Sequence, residues 1–236
     1  FIFSPSKITY VKHPSFEGWG MTTITSTPWK NNGAHALTKS FSECDDRLKT
    51  HVINKEFVLS QFPQMFPGVD QIKFLNELNW RHYIVFWSST YAIKNTLIEQ
   101  KNLVECGVCD GLTIFYAMSA AKSIDKSCSA YLYDAWDAMK EDFLLESEKD
   151  LVGQYSYLDV NATKKNLSMF DSDKLIFNKG YIPDSFETAQ NPKSLVWLHI
   201  DLNAAEPTIA ALNYFWGLLE NGGVILFDDY ALVGYE

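Results

Sequence analysis

Four aspartates close runs of apolar residues in this chain. Asp134 follows YLY, Asp201 follows LVWLHI, and Asp228 and Asp229 follow GVILF. Buried strand ends rarely carry uncompensated charge, so carboxylates there point to a bound partner. Asp201, Asp228 and Asp229 supply hard oxygen ligands that suit Mg²⁺ or a similar divalent cation. A cation held there would orient two substrate hydroxyls and lower the pKa of one, with Asp201 taking the proton as general base. The plainer use of Asp228 or Asp229 is to cap a loop. His199 stands two residues before Asp201 on the same strand face. It either orients Asp201 or substrate, or packs as an ordinary strand histidine.

A second set of residues surrounds a glycine turn. NLVECGVCDGLTIFY, residues 102–116, reads as an apolar strand (Leu103 to Val108), a turn framed by Gly107 and Gly111, and a helix from Leu112. The glycines let the backbone approach a ligand, and the helix start offers free N–H groups. A dinucleotide pyrophosphate wants Gly-x-Gly-x-x-Gly. This turn has Glu105-x-Gly107-x-x-x-Gly111, with Asp110 inside it. Two carboxylates repel a pyrophosphate but suit an amine and ribose hydroxyls, and S-adenosylmethionine (SAM) carries both. Asp134, closing the next strand, would accept hydrogen bonds from both ribose hydroxyls, or else cap the segment that follows.

The elements that must position these residues alternate. Strands are expected at 130–134, 175–181, 195–201 and 223–229. Helical segments are expected at 137–153, 161–170 and 207–219, the last with Glu206 at its start. Apolar strands separated by helices predict an α/β fold: a Rossmann-like, doubly wound, mostly parallel sheet with helices on both faces. Upstream, the spacing predicts a helix over 36–52, a Pro/Gly break at 63–69, and a long helical run from Asp70 to Ile98, interrupted near Asn79. Trp80, Tyr83, Ile84, Trp87, Tyr91 and Lys94 form its stripe, read as core or as a homodimer surface. Residues 1–35 look irregular, and 16–29 could close over a pocket as a lid. Residues 1–79 thus read as an N-terminal helical and irregular extension, and 80–236 as the ligand-binding domain.

Composition narrows the classes. The net charge is −9, which disfavours nucleic acid as a partner, and no apolar run reaches membrane-spanning length. The four cysteines include Cys106 and Cys109 in a C-x-x-C pair with no second pair beside it, read as small turn residues in a reducing cytoplasm.

Five motifs in order carry a resemblance: VECGVCDG (104–111), YDAW (133–136), KGYIPDSF (179–186), LHID (198–201) and GGVILFDDY (222–230). Together they resemble the class I SAM-dependent methyltransferases, and more closely the macrocin O-methyltransferase (TylF-like) family. The resemblance implies metal-assisted methylation of a hydroxyl on a sugar, in a metabolite or a glycan. It implies SAM contacts at Glu105, Gly107, Gly111 and Asp134, and in the same motifs at Val108, Cys109, Asp110, Ala135, Trp136, Gly180 and Tyr181. It implies Asp201, Asp228 and Asp229 as metal ligands. The chain departs from the pattern after LHID, where it has Asn203 and Ala205, and it stops where the family fold adds two strands. A nicotinamide-dependent sugar oxidoreductase and a methyltransferase-like binding module without catalysis are the alternatives.

Overall fold

The most continuous apolar runs become the wholly buried central strands, and the less continuous ones form the partly exposed edges. The computed structural model describes residues 36–60 and 68–228. The lid expected at 16–29 and the aspartate at 229 lie outside the described residues, as does most of the break at 63–69. Five strands form one sheet: β1 (Asn102–Cys106), β2 (Ser129–Asp134), β3 (Leu175–Lys179), β4 (Leu195–Ile200) and β5 (Leu219–Phe227). Their order is β3-β2-β1-β4-β5, and all pairings are parallel. The order reverses at β1, so a crevice opens beyond the carboxyl ends of β1 and β4, where doubly wound sheets bind ligands.

Strand alternation sends side chains to two cores. Leu103, Ala130, Leu132 and Trp197 pack on one face with α1 (Ala36–Ile53), α3 (Asn79–Asn95) and α4 (Leu112–Ile124). Val104, Cys106, Tyr133, Leu198 and Ile200 pack on the other with Ala211 and Phe215 of α6 (Ala205–Trp216). Phe41, Leu48, Phe57 and Leu75 belong to the first core, which the described stretches 36–60 and 68–77 thus share with the sheet. Two short helices complete the set, α2 (Gln71–Glu77), capped by the Asp70 side chain, and α5 (Val160–Asn166), capped by Asp159.

The long run from 70 breaks at Leu78 into α2 and α3, beside the interruption expected near Asn79. The stripe of α3 is core in part: Tyr83 is buried and Trp80, Ile84 and Trp87 pack against the first core, while Tyr91 is 45% exposed. The helix is tied to β4 at Ser88, whose Oγ accepts from Trp197 Nε1 at 2.9 Å. The acidic stretch 137–153 forms only 3-10 turns, Glu141–Phe143 and Glu146–Leu151. Tertiary contacts override its helix propensity. Phe143 stacks on Tyr181 at 4.9 Å, and Lys140 lies over the same ring at 4.2 Å.

Candidate active site

The glycine turn is held by its neighbours' polar atoms. Gly107 (φ +87°) and Gly111 (φ +86°) adopt left-handed backbone, and so does Cys109 between them (φ +51°). The Asp134 carboxylate secures this path: Oδ2 accepts from the N–H of Val108 (2.7 Å) and Cys109 (2.8 Å), and Oδ1 from the N–H of Trp136 (2.6 Å). Burial raises the Asp134 pKa, and the three N–H donors oppose that rise. The Cys109 carbonyl accepts from Trp136 Nε1 at 3.0 Å and from Thr163 Oγ1 at 2.6 Å. Asn166 Nδ2 donates to the Asp110 carbonyl at 2.9 Å, and Ser60 Oγ to the Asp110 side chain. Burial, seconded by neighbouring carboxylates, pushes the Cys106 and Cys109 thiols well up, which disfavours the thiolate that metal or redox chemistry needs.

At the ends of β4 and β5 the carboxylates meet a guanidinium. Arg81, from the first turns of α3, places Nη2 2.7 Å from Asp201 Oδ2 and Nε 2.5 Å from Asp228 Oδ1. Asn203 Nδ2 lies 3.4 Å from the other Asp201 oxygen. Glu105 and His199 are paired across β1 and β4, so both side chains fall on the same face, with His199 Nδ1 2.9 Å from Glu105 Oε1. His199 Nε2 faces Asp228 Oδ1 at 3.8 Å, beyond hydrogen-bond length. Charges thus alternate along Glu105, His199, Asp228, Arg81 and Asp201. Burial pulls the His199 pKa down, but Asp228 and Glu105 outweigh it and raise it to about 9. Burial pushes Asp228 up, but the Arg81 charge leads a larger opposing effect and its pKa falls. Glu105 rises because it is buried, although His199 opposes the shift.

One cavity joins the two sets. Its wall includes Gly107, Val108, Cys109, Asp110, Asp134, Ala135, Gly180 and Tyr181 from the first, and Asp201 and Asp228 from the second. Glu105 and His199 do not line it; they form a buried pair beneath it. Gly111 and Trp136 stand behind the turn rather than on the wall. Sequence reasoning missed Arg81 and Asp137, both of which line the cavity, and named Asn203 only as a departure from the motif. No local signal marks Arg81 on its helix.

The ligand atoms of His199, Asp201 and Asp228 lie within 4.8 Å of one another, close enough for a shared cation. The expected Mg²⁺ nevertheless fits this set poorly. Arg81 already bonds one oxygen of each aspartate, and the third group is an imidazole that its neighbours favour in the protonated form.

Comparisons with known proteins agree with this architecture. A family model described as a methyltransferase domain matches residues 104–230, more than half of the chain. The structure of the O-methyltransferase NovP superposes with a TM-score of 0.61 at 15% identity, covering 83% of this chain and 85% of that one. The calicheamicin methyltransferase CalS11 gives 0.54 at 15% identity, covering 94% and 87%. No curated protein gives a significant match. No described helix is long and apolar enough to cross a membrane.

Proposed function

The chain belongs to the methyltransferase-domain family, a class of SAM-dependent enzymes, and on that premise we propose that it moves the SAM methyl group to a hydroxyl of a sugar or sugar-containing small molecule. The observation that carries the reading is the shared cavity, walled by the glycine turn and by Asp201. The O-methyltransferase fold of NovP and the motif resemblance to the macrocin O-methyltransferases support a hydroxyl acceptor. The acidic wall suits a sulfonium and an amine, since opposite charges attract strongly in a partly desolvated cleft. In the reaction, the acceptor oxygen attacks the methyl carbon as the C–S bond breaks, and its electron pair leaves on sulfur. Asp201 takes the hydroxyl proton. Arg81 and Asn203 hold the two Asp201 oxygens, so the base is oriented before the acceptor arrives. No step in this account passes through a divalent ion.

Calorimetry with SAM and with NAD tests the cofactor, and transfer of labelled methyl to a panel of sugars tests the acceptor. SAM should bind and NAD should not. Asp201→Asn should bind SAM normally and lose turnover by about 10²-fold or more. Full activity in that variant removes Asp201 from the mechanism, and failure to bind SAM removes the reading.

A further inference from the structure

We propose that Arg81 is the cation of this site: its guanidinium stands between Asp201 and Asp228, where the motif resemblance reserves a place for a divalent metal. The catalytic half of this inference rests on the methyl-transfer reading, and the metal-exclusion half rests on geometry alone.

The contacts are those of a built site. Two different nitrogens of one planar fork reach two different carboxylates, at 2.7 and 2.5 Å. Charge-assisted bonds of this length are the stronger kind, and the fork fixes both partners in one plane as a point charge would not. The anchor is rigid: Arg81 stands in the first turn of α3, and α3 is tied to β4 through Ser88 and Trp197. The Arg81, Asp201 and Asp228 side chains are only 21, 20 and 18% exposed, so each would be costly to leave unpaired.

Arg81 already occupies the space between the two carboxylates, so a divalent ion added to this arrangement would meet a fixed positive charge at its margin. To bind Asp201 and Asp228 it would have to displace the guanidinium and strand it in the cavity wall. A guanidinium does not deprotonate in the working pH range, so it cannot yield by losing its charge. Arg81 therefore does for Asp201 what a metal would do by position, holding the carboxylate aimed. It brings one charge rather than two and does not bind the acceptor oxygen as a Lewis acid, so proton removal falls to Asp201 itself.

The experiment uses Mn²⁺ as the probe, followed by its paramagnetic resonance signal on titration with the intact chain. The wild type should show no stoichiometric site. Arg81→Met should gain one, binding at least about tenfold tighter, because two neighbouring carboxylates lose the guanidinium that bridges them. Arg81→Met/Asp228→Asn should lose it again. A wild-type site that Asp228→Asn abolishes overturns the proposal. So does a folded Arg81→Met chain that binds no better than wild type. If Arg81→Met fails to fold, the wild-type and Asp228→Asn titrations decide alone. Methyl transfer by the wild type should be unchanged by chelator, and loss with chelator that Mg²⁺ restores overturns the catalytic half. A chain without methyl transfer to any acceptor sinks the functional reading but leaves the Mn²⁺ result standing.

Discussion

Gly107 is packed directly against the backbone of Asp201. A Cβ on Gly107 would lie 2.6 Å from the Asp201 carbonyl carbon and closer still to its oxygen. Asp201 N–H in turn donates to the Cys106 carbonyl at 2.8 Å. The glycine that frames the cofactor turn thus also sets the position of the proposed base. Close approach here is between two parts of the protein, before any ligand enters.

Gly107→Ala should therefore damage the fold and the chemistry together. The left-handed φ and the overlap with Asp201 are expected to cost about 3 kcal/mol or more, seen as a large fall in melting temperature. Gly153→Ala is the control. Its φ is +84° but nothing lies within 4 Å of the added carbon, so only the backbone cost of about 1 kcal/mol is expected. Equal losses in the two variants would show that the Asp201 contact does not matter.

Trp136→Phe separates the support of the turn from its lining. The indole N–H bonds the Cys109 carbonyl and Thr163 Oγ1, each at 3.0 Å, yet the ring does not line the cavity. Removing it should cost about 1–2 kcal/mol in stability. SAM affinity should weaken by about tenfold, because Cys109 is then held less firmly in its left-handed conformation. Calorimetry with SAM checks this, and unchanged affinity would mean that Asp134, Thr163 and Asn166 hold the turn without the indole.

Glu148→Ala tests how α6 begins. Its N-cap, Ala204, has no side chain to offer, and Glu148 reaches from the 3-10 turn before it to accept the Ala205 N–H at 2.8 Å. Its other oxygen accepts from Leu145 at 2.9 Å. Losing a cap that is also an anion at a helix start should cost about 1 kcal/mol. Glu148→Gln should recover part of that loss. Chemical denaturation measures both, and no difference from wild type would place the cap elsewhere.

Much of the frame was legible because buried parallel strands are nearly continuous apolar runs. β1, β2 and β4 stand where LVEC, AYLYD and LVWLHI predict them, and Asp134, Asp201 and Asp228 do stand at strand ends. What sequence could not show were partners without a local signature. Arg81 and Asp201 are 120 residues apart, and no spacing rule links them. The Asp134 carboxylate lines the cavity, and it also binds backbone N–H groups, which every residue carries and no motif marks. The register of Glu105 with His199 turns its side chain into the core beneath the cavity, and register between distant strands is set only by the assembled sheet.

His82 gives the pH prediction. It is wholly buried, stacked on Tyr116 at 4.4 Å, and neither ring nitrogen has a hydrogen-bond partner among the described residues. Burial, followed by the charges of Arg81 and Lys49, holds its pKa well below the usual histidine value, although Asp228 opposes the shift. The folded chain therefore keeps His82 neutral while the unfolded chain takes up a proton below pH ~6.5. Stability must fall as pH drops through that value, by up to about 1.4 kcal/mol per pH unit from this group. His82→Phe keeps an aromatic ring against Tyr116 and removes the titration. Its stability should decline less steeply than wild type between about pH 6.5 and 5. It should also gain about 1 kcal/mol near neutrality, because two buried nitrogens without partners disappear. Denaturant melts across this range measure both effects, and parallel curves for the two proteins would mean that His82 finds a proton or a partner in the folded state.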